Sequence, residues 1–211
     1  MLQQTQVKTV IPFYKKFIKK YPNLKSISLA TEDDILALWT GLGFYRRAKN
    51  IYRTKEIIKK EYKNKFPSKY EELISLPGIG RSTAGAIMSI AYKESYPILD
   101  ANVKRVISRY KKINTDEKGV VKTLWSLSKN LTPKKNIFEY TQGIMDLGAT
   151  ICNIRSPNCL NCPINKTCKS AFKNFEIEYK AKKERPKKKI FFTLAHSKKS
   201  FLLFKKNKKS F

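Results

Sequence analysis

Four cysteines stand in one short stretch: Cys152, six residues to Cys159, two to Cys162 and five to Cys168. Thiolates are soft ligands, and four in one loop suit zinc or an iron–sulfur cluster, between which spacing alone does not choose. Pro157 and Pro163 stiffen the loop, and Arg155, Lys166 and Lys169 make it basic. So close a group reads as a metal site in a reducing compartment rather than as a disulfide framework. A second promising stretch is LPGIG, Leu76 to Gly80, followed by RSTAGAIMSIAY. Gly78 and Gly80 lie between two helical patterns, where a left-handed turn or a close backbone approach is needed. Free amides at the start of the following helix would make a place for a phosphate. The third is Asp100, just before the helical run Asn102 to Tyr110. It reads as a helix N-cap and, near the glycine turn, as a carboxylate able to face positive charge developing on a sugar.

The elements that must position these residues are helical. From Leu2 to Lys19, apolar residues recur at Val7, Val10, Ile11, Tyr14, Phe17 and Ile18, and Pro12 is expected to kink or divide this helix. Thr31 with Glu32, Asp33 and Asp34 marks the start of a short helix that ends at Gly41-Leu42-Gly43. The next runs from Tyr45 to Tyr62, burying Ala48, Ile51, Tyr52, Ile57 and Ile58 and presenting a basic face of Arg46, Arg47, Lys49 and Arg53. Ser68 and Glu71 predict a capping box for a helix reaching Ser75. Beyond the glycine turn Ala84, Ile87, Met88 and Ala91 form an apolar stripe, and Ala84-Gly85-Ala86 would admit a neighbouring helix closely. Further helices are expected over Val103 to Lys111, Gly119 to Asn130 and Lys135 to Ile151. A charged linker occupies Lys182 to Lys189, and Ile190 to Leu194 and Ser200 to Phe204 read as two strands, with His196 an exposed strand residue.

The 211 residues suffice for a substantial core, and 45 Lys and Arg against 16 Asp and Glu give a formal charge of +29. Such an excess favours a polyanion, most simply nucleic acid, although the abundance of Lys, Ile, Asn, Phe and Tyr also fits a bias toward A/T-rich codons. No apolar run is long enough to span a membrane, and the polar start at Met1 to Thr5 is no signal peptide, so a soluble intracellular chain is expected.

With these residues in view, a family resemblance emerges. LPGIGRSTAGA resembles a helix-hairpin-helix. Its pairing with ILDANVKRV and the cysteine loop is characteristic of the endonuclease III superfamily of DNA glycosylases. LQQTQV at Leu2 to Val7, LWTGLG at Leu38 to Gly43 and MDLGA at Met145 to Ala149 look like the adenine DNA glycosylases of the MutY family. The resemblance covers residues 1 to 169. It implies an all-α, two-lobed fold: a helical lobe with the hairpin over residues 1–94 and a lobe with the cluster loop over 95–180. After a basic linker at 181–189, it implies the start of a Nudix-like recognition domain at 190–211. One four-iron four-sulfur cluster on Cys152, Cys159, Cys162 and Cys168 would follow, as would the removal of adenine opposite 8-oxoguanine or guanine from double-stranded DNA. The protein would be a monomer with no membrane association, cytoplasmic and nucleoid-associated in a bacterium.

By the same resemblance, Asp100 matches the aspartate that faces the sugar and Asn102 its active-site neighbour. Ser82 stands where bifunctional relatives carry the Schiff-base lysine, which argues against an endonuclease III-type glycosylase/lyase. Gln3, Gln4, Thr5, Leu42, Phe44, Gly78, Gly80 and Arg81 would contact DNA. Gln4, Thr5 and Leu42 would lie around 8-oxoguanine, and Phe44 would stack where the family often has tyrosine. Core packing is the other reading of Leu42 and Phe44. The family's general-acid glutamate would stand just before Met1, so the expectation is a chain truncated at both ends with little or no glycosylase activity, a non-catalytic DNA-binding fragment being the alternative reading.

Overall fold

The computed structural model describes residues 1–173 and the backbone of 192–197 and 200–205. The chain divides into two units, Met1–Lys173 and Asn174–Phe211. Among its described residues the first unit is wholly helical.

Helix α1 spans Val7–Lys20, starting later than expected because Gln4 takes a left-handed conformation (φ 58°) within an N-terminal turn. Pro12 lies inside α1 without dividing it. Proline removes one backbone hydrogen bond, and the packing of Val10, Phe13 and Phe17 against the core holds the helix through that loss. A one-turn helix, α2 (Leu24–Ile27), escaped the periodicity reading. Its capping box pairs Asn23 with Ser26. In α3 (Glu32–Trp39), Thr31 and Asp34 close the capping box reciprocally. Helix α4 covers Arg46–Glu61, close to its expected bounds. Its Lys55 is buried and donates to the Ala30 carbonyl at 2.8 Å, fastening α4 to the turn before α3.

The capping box expected at Ser68 and Glu71 does not form. Helix α5 (Tyr70–Ser75) begins two residues after Ser68, with Lys69 at the N-cap and no side-chain cap. One residue of slip in the helix start removes the three-residue spacing that a reciprocal pair requires. Helix α6 (Arg81–Ile87) runs directly into a π-helical turn at Met88–Tyr92, which Lys93 ends in a left-handed conformation. Helices α7 (Ala101–Lys111), α8 (Val120–Leu131) and α9 (Ile137–Asp146) follow. A second π-helical turn, Leu147–Ile151, continues α9.

Three apolar clusters fill the first unit. Val10, Ile35, Trp39, Leu42 and Ala48 form one, and Leu73, Leu76, Ala84 and Met88 another. The third is built from Ile98, Val103, Ile107, Val120 and Leu124, on which Ile144 and Met145 of α9 also pack. Gly85 meets backbone rather than a neighbouring helix: a Cβ there would lie 2.5 Å from the Pro97 carbonyl oxygen. In the second unit, β1 (Phe192–Ser197) pairs antiparallel with β2 (Ser200–Lys205), Phe192 opposite Lys205 and Ser197 opposite Ser200. The expected linker and the side chain of His196 lie outside the described residues. No helix among the described residues is long and apolar enough to cross a membrane.

Candidate functional site

Between α1, α4, α6 and the start of α7 lies a cleft of about 940 Å³, lined mainly by apolar side chains. Gln3, Asn50, Gly78, Ser82, Asp100 and Met145 all reach it. The glycine turn and the Asp100 segment, expected to lie near one another, share one concavity.

Asp100 caps α7 as expected, its Oδ1 accepting from the Val103 amide at 2.7 Å. The extended backbone just before it is held by Ser82, whose hydroxyl oxygen accepts from the Leu99 amide at 2.9 Å. Ser82 thus ties the helix after the hairpin to the segment that carries the carboxylate, a link no local pattern could suggest. Asn102 faces the other way along α7. Its Oδ1 accepts from Arg105 at 2.9 Å, and Arg105 also donates to the carbonyls of Gly148 and, at 2.8 Å, Cys152. Gly148 is required at this crossing, since a Cβ there would lie 2.7 Å from that of Asn102.

The hairpin turn uses its two glycines differently. Gly78 has φ +82°, and a Cβ on it would meet Asn50 Nδ2 at 2.6 Å. Both conformation and space demand glycine there. Gly80, expected to share that need, is extended (φ −90°, ψ 176°) with nothing within 4 Å of a Cβ, so the fold alone does not require it. Gln3 reaches across to the turn, donating to the Gly78 carbonyl and the Thr83 hydroxyl, both at 3.4 Å.

Among the other anticipated DNA contacts, Gln4 is exposed, and the Thr5 hydroxyl is buried without a hydrogen-bond partner. Leu42 is 5% exposed in the first core cluster, so packing is the role it has in this structure. Phe44 is 57% exposed, and its left-handed backbone (φ 50°) turns it outward. Arg47, assigned from its spacing to a basic surface, is turned inward instead. Its guanidinium lies over Trp39 and Phe44 and donates to the carbonyls of Met1, Gln3 and Gly43, because three converging carbonyls outbid solvent for a planar five-donor group. Arg81 stays exposed and stacks on Trp125.

The cysteine loop is anchored at both ends on the last turn of α7. Buried Arg109 donates to Cys152 Sγ at 3.3 Å and to the Asn153 and Ile154 carbonyls at 2.6 and 2.8 Å. At the far end, the Lys169 amide donates to the Tyr110 carbonyl at 3.1 Å. Burial pushes the Cys162 thiol up, and charge on Cys152, Cys168 and Cys159 pushes in the same direction. Four thiols in one short loop are a donor set of the kind that suits a soft metal centre. Among the described residues, however, no three His, Cys, Asp or Glu side chains converge closely enough to hold an ion.

An all-helical unit with a glycine hairpin opening on a cleft and a carboxylate at its rim defines a class, and the comparisons agree. Residues 1–130 match the HhH-GPD superfamily of base excision DNA repair proteins, and the chain belongs to that superfamily. Within it the chain is similar to adenine DNA glycosylases. It is 46% identical over 212 residues to that of Buchnera aphidicola subsp. Acyrthosiphon pisum (strain APS), covering 98% of this chain and 60% of the relative. With the Homo sapiens protein it shares 37% identity over 173 residues, 81% of this chain and 32% of that one. The chain thus spans less than two thirds of the length of these relatives. Among solved structures, a thermostable thymine-DNA glycosylase superposes with a TM-score of 0.71 at 28% identity, covering 81% of this chain and 79% of that one. A trapped endonuclease III–DNA covalent intermediate gives 0.70 at 23% identity, over 81% and 79%, a likeness of fold.

Proposed function

We propose that this chain carries the core of a monofunctional adenine DNA glycosylase of base-excision repair, acting on adenine opposite 8-oxoguanine or guanine in duplex DNA. The observation that carries the reading is Asp100 at the rim of the cleft, beside the glycine hairpin. A glycosidic bond inside the base stack is out of reach, so the adenine nucleotide would be extruded into this cleft. Its apolar walls suit the flat face of a purine. Asp100 would stand against the sugar as oxocarbenium character develops, the task of one of the two carboxylates in glycoside hydrolysis. Asn102, bonded to Arg105 behind the cleft, would support the start of α7 that carries Asp100. A hydroxyl cannot form an imine, and that of Ser82 is already engaged with the Leu99 amide, so base release without an efficient lyase step is expected.

Cys152, Cys159, Cys162 and Cys168 would hold a four-iron four-sulfur cluster, which when bound supplies a covalent closure of the loop and a redox-capable charge. Gln4, Thr5 and Phe44 would meet the DNA near the mispair.

The test is to incubate the chain with a duplex bearing adenine opposite 8-oxoguanine and then to treat with alkali. Strand breaks at adenine support the reading; breaks at other bases, or a covalent adduct trapped by borohydride, overturn it. One observation favours a second outcome, duplex binding without base release. Among the described residues that line the cleft, Asp100 is the sole carboxylate, and no second one is there to protonate the leaving base. Loss of such an acid costs on the order of a hundredfold or more in rate.

A further inference from the structure

We propose that Ser128 is a positioning residue for the reaction at Asp100, acting from α8 through the peptide group that joins Ile98 to Leu99. The proposal rests on the reading of Asp100 as the carboxylate that faces the sugar. Residues 95–99 run without regular structure between the first π-helical turn and α7, and no strand of the first unit lies beside them among the described residues. Their buried backbone groups must therefore find partners elsewhere.

Serine hydroxyls supply them. Ser89 donates to the Tyr96 carbonyl at 3.0 Å, and Ser128 donates to the Ile98 carbonyl at 2.7 Å. Ser82 accepts from the Leu99 amide at 2.9 Å. The last two contacts fall on one peptide group, since the Ile98 carbonyl and the Leu99 N–H belong to the same plane. In a trans peptide these groups point in opposite directions, so α8 grips the plane from one side and α6 from the other. Turning the plane would break both bonds at once. Leu99 is joined directly to Asp100, whose side chain borders the cleft. Ser128 does not line that cleft, so its hydroxyl acts through the backbone and not on a bound base. Ser128 and Ile98 are each 2% exposed, and an alanine at 128 would leave the Ile98 carbonyl buried without its donor. The plane could then turn toward another partner and carry the carboxylate with it. A misplacement of about 1 Å can cost on the order of a hundredfold in rate.

The test is binding of the full chain to two duplexes altered at the nucleotide opposite 8-oxoguanine. One carries a protonated pyrrolidine in place of the sugar and base, a mimic of the developing positive charge, and the other a neutral tetrahydrofuran. The parent should prefer the cationic duplex, and Asp100→Asn should abolish most of that preference. Ser128→Ala should reduce the preference several-fold while affinity for the neutral duplex stays at the parent's value. Ser128→Thr, which keeps the hydroxyl, should retain it. If Ser128→Ala does not fold, Ser128→Cys, of similar size but with a weaker donor, carries the test in the same direction. A preference unchanged in Ser128→Ala, or lost as fully in Ser128→Thr, would overturn the positioning role alone. No preference in the parent, or an undiminished one in Asp100→Asn, would overturn that role together with the glycosylase reading.

Discussion

At the scale of single residues, Asp100 has two duties that substitution can separate. It caps α7 through the Val103 amide, and it offers a carboxylate to the cleft. Asparagine caps a helix about as well as aspartate but brings no negative charge. Asp100→Asn should therefore leave the thermal midpoint nearly unchanged while suppressing whatever adenine release the chain performs, measured as alkali-labile sites. Asp100→Ala should lose both, at a stability cost of about 1 kcal/mol in denaturant titration. Equal activity in Asp100→Asn and the parent would remove Asp100 from the chemistry. The capping role was legible in the sequence because the residue type and the helical run after it are local. The tie of Ser82 to Leu99, just before it, was not, since these two residues are distant in the chain and meet only in the folded structure.

At the scale of elements, the glycine hairpin and the start of α3 make opposite kinds of prediction. Gly78 combines a positive φ with a close contact to Asn50. Gly78→Ala should accordingly destabilise by about 1–2 kcal/mol from the left-handed backbone alone, with the crowding of Asn50 added, visible as a lower unfolding midpoint. Gly80 is extended and uncrowded, so Gly80→Ala should keep the midpoint. Any loss of DNA affinity in Gly80→Ala would then report close approach of the DNA backbone itself. For α3, hydrogen bonds from the Thr31 backbone and hydroxyl, with Lys20 beside them, lower the Asp34 carboxyl to about 2. Because the folded value lies below the unfolded one, this stabilisation is complete above about pH 4 and is lost as pH falls toward 2. The thermal midpoint should drop over that window, and less so in Asp34→Asn. The Thr31 start was legible as a spacing of three residues. The same spacing at Ser68 misled, because which residue begins α5 is decided by how Leu73 and Leu76 seat in the core.

For the whole molecule, the ends of the cysteine loop are held by α7, whose N-cap Asp100 borders the cleft. Loss of the loop should therefore be felt in the first unit as a whole. Cys159→Ser should lower iron content and the visible absorbance of a cluster and reduce the unfolding midpoint, and chelation of the parent chain should reproduce both effects. A midpoint indifferent to both would mean that Arg109 and the backbone bonds hold the loop unaided.

The sequence by itself determined what is local or carried by type and spacing: the helical class, the Asp100 cap, the Thr31 start and the run of four thiols. Through the order of its motifs it also pointed to the superfamily. Tertiary structure decided what depends on residues distant in the chain. It turned Arg47 inward onto three carbonyls, set Leu42 into the core and gave Gly78 and Gly80 different constraints. It also engaged the Ser82 hydroxyl with Leu99 and laid Arg81 on Trp125. The physical reason is that periodicity and capping act over one or two helical turns. The direction of an exposed cation, or the acceptor left for a hydroxyl, is set by whichever helix packs opposite.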